Sequence, residues 1–151
     1  MNDQVRIQEV EWEEFRKPLL QVRFLVFVDE QGVPPEMEED EHDPAALHLL
    51  ALDNRNQPVA CGRVIFQGDS ALIGRMAVLK PHRHQGIGTR LLQELLRQAR
   101  QQGASDVQLH AQCEAEPFYR RLAFVPIGPV FEEAGIPHQT MIRELQKAGE
   151  K

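Results

Sequence analysis

Arg83-His84-Gln85-Gly86-Ile87-Gly88-Thr89 stands between an apolar run, Ala71 to Leu79, and the sharpest helical pattern in the chain. That pattern is Ile87, Leu91, Leu92, Leu95, Leu96 and Ala99, one stripe of an amphipathic helix. Gly103 follows where a left-handed C-terminal cap is expected. The first amides of a helix have no partner within it, and the helix dipole adds positive potential there. Glycines let a ligand's oxygens approach that backbone with no Cβ in the way, and Arg83 adds a forked, charged donor suited to phosphate. Lys80, Arg90, Arg97 and Arg100 surround the turn, and from 80 to 100 only Glu94 opposes them. The segment reads either as an anion site or as a tight turn that merely starts a helix. It is not a P-loop, since no Gly-Lys-Ser/Thr follows. It also fails as a dinucleotide fingerprint: the third glycine is missing, and the polar stretch Lys80 to Gln85 separates strand from helix.

Working outward, Val107 to Ala111 reads as a strand, so residues 71 to 111 form a strand-helix-strand crossover. A short helix, Ala115 to Leu122, then leads to strands near Phe124 to Phe131 and His138 to Leu145. Toward the N-terminus, Leu47 to Leu52 and Val59 to Phe66 read as strands joined by the turn Asp53-Asn54-Arg55-Asn56. With Ala71 to Leu79 they predict an antiparallel meander. Val5, Ile7 and Val10 alternate as a strand, while Phe15, Leu19, Leu20, Phe24, Leu25 and Phe27 mark one helical face. Gly32-Val33-Pro34-Pro35 breaks that helix and opens a loop. The pattern predicts an α+β domain on a mixed sheet.

Composition narrows the function classes. The 151 residues are 42% hydrophobic and 26% charged, which suits a single domain over 1–151. A mean hydropathy of −0.42 and the lack of a long apolar run argue against a membrane span. Met1-Asn2-Asp3-Gln4 does not read as a signal peptide. Cys61 and Cys113 lie outside any CxxC pattern, so reduced core thiols and a cytoplasmic setting are expected. His82-x-His84 lacks the further ligands that a metal needs, and no metal is expected. The net charge is −6, yet Asp29 to Asp43 holds eight acids and no Lys or Arg; removing them leaves +2. A net acidic chain argues against a nucleic-acid partner.

Arg83-x-x-Gly86-x-Gly88, preceded by the strand Leu72 to Leu79 and followed by Leu91-Leu92, resembles the pyrophosphate loop of the GNAT acetyltransferases. Ala115-Glu116-Pro117-Phe118-Tyr119-Arg120-Arg121-Leu122-Ala123-Phe124 resembles their late helix, which usually ends Phe-Tyr-x-x-x-Gly-Phe. Here Ala123 replaces the glycine, a change that costs little unless φ is positive there. A closer resemblance, to the ElaA-type subfamily, is carried by Arg23 to Pro34 (RFLVFVDEQGVP) with Glu38, Asp40, Asp43 and His48. Leu109-His110-Ala111-Gln112 and Glu132-Glu133-Ala134-Gly135-Ile136-Pro137-His138 carry it too. Gly74-Arg75-Met76-Ala77 together with Pro137-His138 is also similar to glyphosate N-acetyltransferase.

The resemblance implies a GNAT fold: a mixed, mostly antiparallel sheet splayed between its two central parallel strands, with helices on both faces. It implies acetyl-CoA as cosubstrate, with pantetheine along Met76, Ala77 and Val78. The pyrophosphate would lie on Arg83 and the amides of His84, Gln85, Gly86, Ile87, Gly88 and Thr89. Tyr119 would be the general acid at the sulfur, and Arg23, Arg75, His110 and Gln112 would face a small-molecule amine. Gln112 stands where a third substrate arginine is found in glyphosate N-acetyltransferase, which counts against glyphosate-like binding. Many relatives are dimers, so a homodimer is compatible.

Attack by an amine requires loss of a proton from a group whose pKa is about 10.4 when lysine-like. Many relatives use a Glu on the strand before the phosphate loop, but Ala71 to Leu79 contains no acid. His138 is the preferred base because imidazole titrates near neutrality; His110 comes second, and a water relaying to the acidic loop third. The acceptor's charge is open. Arg23 and Arg75 favour an anionic molecule, whereas the acidic stretch, unless merely solvated, favours a cationic amine, a polyamine or a protein lysine. A rival class is a module that binds acetyl-CoA without transferring acetyl. Retention of Tyr119, both loop glycines and a candidate base favours the enzyme.

Overall fold

In the computed structural model, which describes residues 4–145, the chain begins β1 (Arg6–Val10), α1 (Trp12–Arg23) and a π-helical segment (Phe24–Glu30). It continues β2 (Leu47–Leu52), β3 (Pro58–Gln67), β4 (Ser70–Val78), α2 (Ile87–Gln101) and β5 (Asp106–Gln112). Then come α3 (Glu116–Arg120), β6 (Val125–Glu133) and β7 (Ile136–Glu144). The expected 1–151 domain span and the reading of Met1 to Asp3 reach outside the described residues. The sheet order is β1-β2-β3-β4-β5-β7-β6, and the β4–β5 pair is parallel while the other neighbours are antiparallel. The mixed α+β sheet with two central parallel strands is therefore present.

Helices cover both faces because β2 is apolar on both. Leu49 and Ala51 point into the cluster that holds α2, through Ile87, Leu91, Leu92, Leu95, Leu96 and Ala99. Leu50 and Leu52 point the opposite way, toward Trp12, Leu19 and Val22 of α1. All six apolar residues of the α2 stripe are buried. Gly103, at φ +86°, closes that helix with its amide on the Arg100 carbonyl at 3.0 Å.

The first helix departs from its simple periodic reading. Pro18 can offer no N–H to the carbonyl of Glu14, and the backbone leaves helical geometry at Phe15 (φ −116°, ψ 17°). Beyond Arg23 the chain winds as a π-helix, so the 3.6-residue stripe is lost. Val26 stays buried, while Phe24 and Leu25 come to the surface.

Candidate active site

The two parallel strands pair only from Ser70↔Asp106 to Ile73↔Leu109, and then part. The cause is a bulge in β4. Opposite β3, Cys61 pairs with Ala77 but Arg63 with Gly74, so β4 carries one extra residue, and Arg75 adopts φ +52°. A non-glycine residue there costs about 1–2 kcal/mol. Cys61 donates its thiol to the Arg75 carbonyl at 3.4 Å and is buried, which pushes its pKa up to about 12. Below the fork lies a cavity of about 880 Å³.

One end of the cavity is lined by Met76, Ala77 and Val78 of β4, by Arg83 and His84, and by Gly86, Ile87, Gly88 and Thr89 at the start of α2. Gly86 takes φ +84° and His84 φ +63°, which turns the chain sharply into the helix. The amides of Ile87, Gly88 and Thr89 begin the helix, ahead of its first internal bond from Arg90 to the Gly86 carbonyl at 3.0 Å. Gln85 is outside the cavity lining; its side chain donates to the Pro81 carbonyl at 3.4 Å. Arg83 is already engaged: its Nε donates to the Val78 carbonyl at 2.8 Å and its terminal nitrogens grip Glu30 at 2.9 and 2.5 Å.

With Phe118 of α3 beside Gly88, residues of α3 and of the β6–β7 hairpin line the cavity as well. Tyr119 lines it between the rings of Phe118 (5.0 Å) and Phe124 (6.0 Å), and burial pushes the phenol pKa up to about 12. His138 is only 6% exposed. Its Nδ1 lies 2.7 Å from the Ile136 carbonyl, which can only accept, so Nδ1 carries the hydrogen and a neutral ring keeps its lone pair on Nε2. His110 also lines the cavity, with Nδ1 at 3.0 Å from Glu133 Oε1. Gln112 donates to Gln31 at 2.8 Å, tying β5 to the end of the π-helical segment.

Arg23 and Arg75, expected together at the acceptor, have different settings. Arg23 is 1% exposed and outside the cavity lining; it donates to Glu38 at 2.8 Å and to Asp43 at 2.9 and 3.0 Å. Its guanidinium also lies 5.4 Å from the Trp12 ring, which stacks on His48. Arg75 does line the cavity, but it donates to the carbonyls of Met37 and Glu38 and to Asp40. Arg63 completes the network on Asp40 and Asp43, each at 2.7 Å.

The acidic stretch is accordingly neither a solvated loop nor an open lure for cations. Five of its eight acids (Glu30, Glu38, Glu39, Asp40 and Asp43) bind arginines. Burial resists the charge of Arg23, but its bonds to Asp43 and Glu38 hold its pKa above the ordinary value. Burial likewise resists ionisation of Asp43 and Asp40, yet the arginines keep both below the usual carboxylate range. Burial and the neighbouring Arg63 lower Arg75, and burial lowers His48.

Among the lining residues outside the expected set are Arg63 and Glu133. Alternation could have found Glu133: Phe131 pairs with His138 across the hairpin, and Glu133, two residues on, shares that face. Arg63 had no local signal, because its partners lie 20 to 23 residues away in sequence. Among the described residues no group of three or more His, Cys, Asp or Glu could hold a metal, and no helix is long and apolar enough to cross a membrane.

Comparison with known proteins agrees with this geometry. The model of the acetyltransferase (GNAT) domain matches residues 15–145. The N-acetyltransferase YjcF of Bacillus subtilis is 37% identical over 133 residues, covering 87% of this chain and 94% of YjcF. The crystal structure of Escherichia coli ElaA superposes with a TM-score of 0.83 at 30% identity, covering 93% of this chain and 99% of ElaA. An acyl-CoA N-acyltransferase from Pseudomonas aeruginosa gives 0.80 at 27% identity, over 92% and 99%. A fork between parallel strands, a glycine-opened helix at its mouth and a family match over most of the length lead to one assignment: the chain belongs to the GNAT acetyltransferases, enzymes that take an acyl group from a coenzyme A thioester.

Proposed function

We propose that the protein transfers the acetyl group of acetyl-CoA directly to a primary amine of a small molecule. The observation that carries this reading is the fork itself. Past Ile73 and Leu109 the edge of β4 that faced β5 has no strand beside it, and Met76 to Val78 line the cavity there. A pantetheine arm has amide donors and acceptors and could take the missing strand's place. The pyrophosphate then meets the amides of Gly86 to Thr89, where helix dipole and bare backbone favour an anion. Arg83 joins it by exchanging Glu30 for phosphate oxygens, while His84 and Gln85 shape the approach.

The transfer requires three proton or charge movements. The neutral amine attacks the thioester carbon, and a backbone amide near Met76 or Ala77 steadies the oxyanion. Nε2 of His138 takes the proton from the attacking nitrogen, being the ring atom with a free lone pair. The C–S bond then breaks, and Tyr119 protonates the departing sulfur; its raised pKa ensures that it holds a proton to give. His110, Gln112 and Arg75 line the acceptor's end of the cavity. Arg23 acts there indirectly, by fixing the segment against which Arg75 rests.

The test measures coenzyme A thiol release over a panel of amino acids, aminophosphonates and polyamines, for the parent and for His138→Ala. Expected is a turnover loss of about 10²–10⁴-fold at unchanged acetyl-CoA affinity. Unchanged turnover on the preferred amine would remove His138 from the mechanism. Acetyl-CoA binding with no thiol release from any amine would leave a binding module.

A further inference from the structure

Among the described residues, two carboxylates line the cavity. Glu38 is bound to Arg23, whereas Glu133 faces two histidines. The hairpin fixes this arrangement. Ala134 and Gly135, at φ +54° and +76°, form its two-residue turn, and Glu133 pairs with Ile136 at the tip. Phe131, two residues back, stacks on His138 (6.0 Å, 23° between planes) and makes a T-shaped contact with His110 at 5.2 Å. From that position Glu133 reaches both rings: Oε1 lies 3.0 Å from His110 Nδ1, and Oε2 lies 3.9 Å from His138 Nε2.

The side of His138 that meets Glu133 is the one that matters chemically. Nδ1 is committed to the Ile136 carbonyl, so a proton taken from the acceptor must arrive on Nε2. The ring then becomes a cation at a site only 6% exposed, where an uncompensated charge is costly. We infer that Glu133 is the positioning residue for this base: its carboxylate, held by His110, steadies the imidazolium that forms on His138 as the amine attacks. This rests on the reading of His138 as the base. The balance is simple, since the amine nitrogen loses one proton, Nε2 gains it, and Glu133 remains a carboxylate throughout. Aspartate reproduces the role only partly, because it is one methylene shorter.

Glu133→Gln keeps the shape and removes the charge. In steady-state assays with the preferred amine it is expected to lower kcat on the order of tenfold, with the KM for acetyl-CoA and for the amine within twofold of the parent. Glu133→Asp should recover part of the loss. In a His138→Ala background the added Glu133→Gln change should cost less than twofold, because no imidazolium is left to steady. Thermal melting of each variant confirms that it folds. A kcat within twofold of the parent for Glu133→Gln overturns the inference while leaving His138 in place. So does an equal loss with and without His138. A rise in amine KM at constant kcat also overturns it, since Glu133 would then be binding the acceptor itself. Unchanged turnover in His138→Ala alone removes the base and with it this role.

Discussion

Gly88→Ala separates the two reasons for a glycine at the start of α2. Gly86 is needed for its φ of +84°, but Gly88 takes no such angle. A Cβ built on Gly88 would meet Phe118 at 3.6 Å and Val78 at 3.9 Å, ordinary contact distances, so the protein has room for alanine. Alanine is also the better helix former, by about 0.8–1.0 kcal/mol in a helix interior and less in a first turn. The substitution should leave the unliganded protein as stable or raise its melting temperature by about 1–3 °C. The methyl group would stand on the cavity wall, where the proposed binding mode brings a phosphate oxygen to the backbone. Losing one hydrogen bond to a charged group there costs about 1.5–3 kcal/mol. That is a weakening of acetyl-CoA binding by roughly 10- to 150-fold. Calorimetric titration with acetyl-CoA, beside a thermal melt of the free protein, reads both quantities. A dissociation constant within about twofold of the parent would refute the assignment of these amides to the pyrophosphate. A clear drop in melting temperature would show that the glycine serves the fold instead.

Two further predictions concern stability. Ala123 ends α3 at φ +69°, with the Phe124 amide on the Tyr119 carbonyl at 3.1 Å, so it occupies the left-handed position usually given to glycine. Ala123→Gly should release about 1 kcal/mol of strain, partly offset by the freer unfolded chain, and raise the melting temperature by about 1–2 °C; an unchanged or lower value would refute the strain. Asp43→Asn should cost about 3–5 kcal/mol, because it strips a carboxylate from the buried Arg23 and from Arg63. The folded pKa values of Asp43 and Asp40 are depressed, so the unfolded chain binds the proton more readily. Their stabilisation is complete above the unfolded value of about 3.9 and is lost as pH falls below it. His48, lowered by burial, adds a shallower loss as pH falls through about 6.5. Urea midpoints between pH 7 and 3 should therefore fall less steeply in the acid range for Asp43→Asn than for the parent, and parallel curves would refute the assignment.

The residues assigned by the proposal to the coenzyme end are adjacent in sequence, which is why the glycine turn and its helix could be read from it. Gly86, Gly88 and the stripe from Ile87 to Ala99 lie within one helix and its turn, and local periodicity reports them directly. Ala123 was legible in part: its place against a family pattern raised the question of its φ, and only coordinates could answer it. The bulge at Arg75 had no such mark. Its left-handed residue is an arginine beside a glycine, and the extra residue is defined only by pairing with β3. The turn from α-helix to π-helix after Arg23 was hidden for a related reason, since the apolar residues continue while the winding changes.

The proposed acceptor end was harder because its charges are set by distant pairs. Read in sequence, Asp29 to Asp43 is an acidic run, and the arginines at 23, 63 and 75 are scattered cations. Folded, Arg23, Arg63 and Arg75 meet Glu38, Asp40 and Asp43 in one compact group of three positive and three negative charges. The group offers little net field to an incoming molecule, so neither the acidic run nor the arginines alone can decide the acceptor's charge. What the network does is mechanical. It fastens residues 37–43 to α1, β3 and β4, and so fixes one wall of the cavity beside the bulge. Under the proposed function, discrimination among acceptors then falls to lining groups outside this network, among them His110 and Gln112 on β5. The β6–β7 hairpin joins the sheet through its strand neighbour β5, and Met141 of β7 is buried in the core cluster that holds α2, so the fold that builds the fork also sets the position of His138.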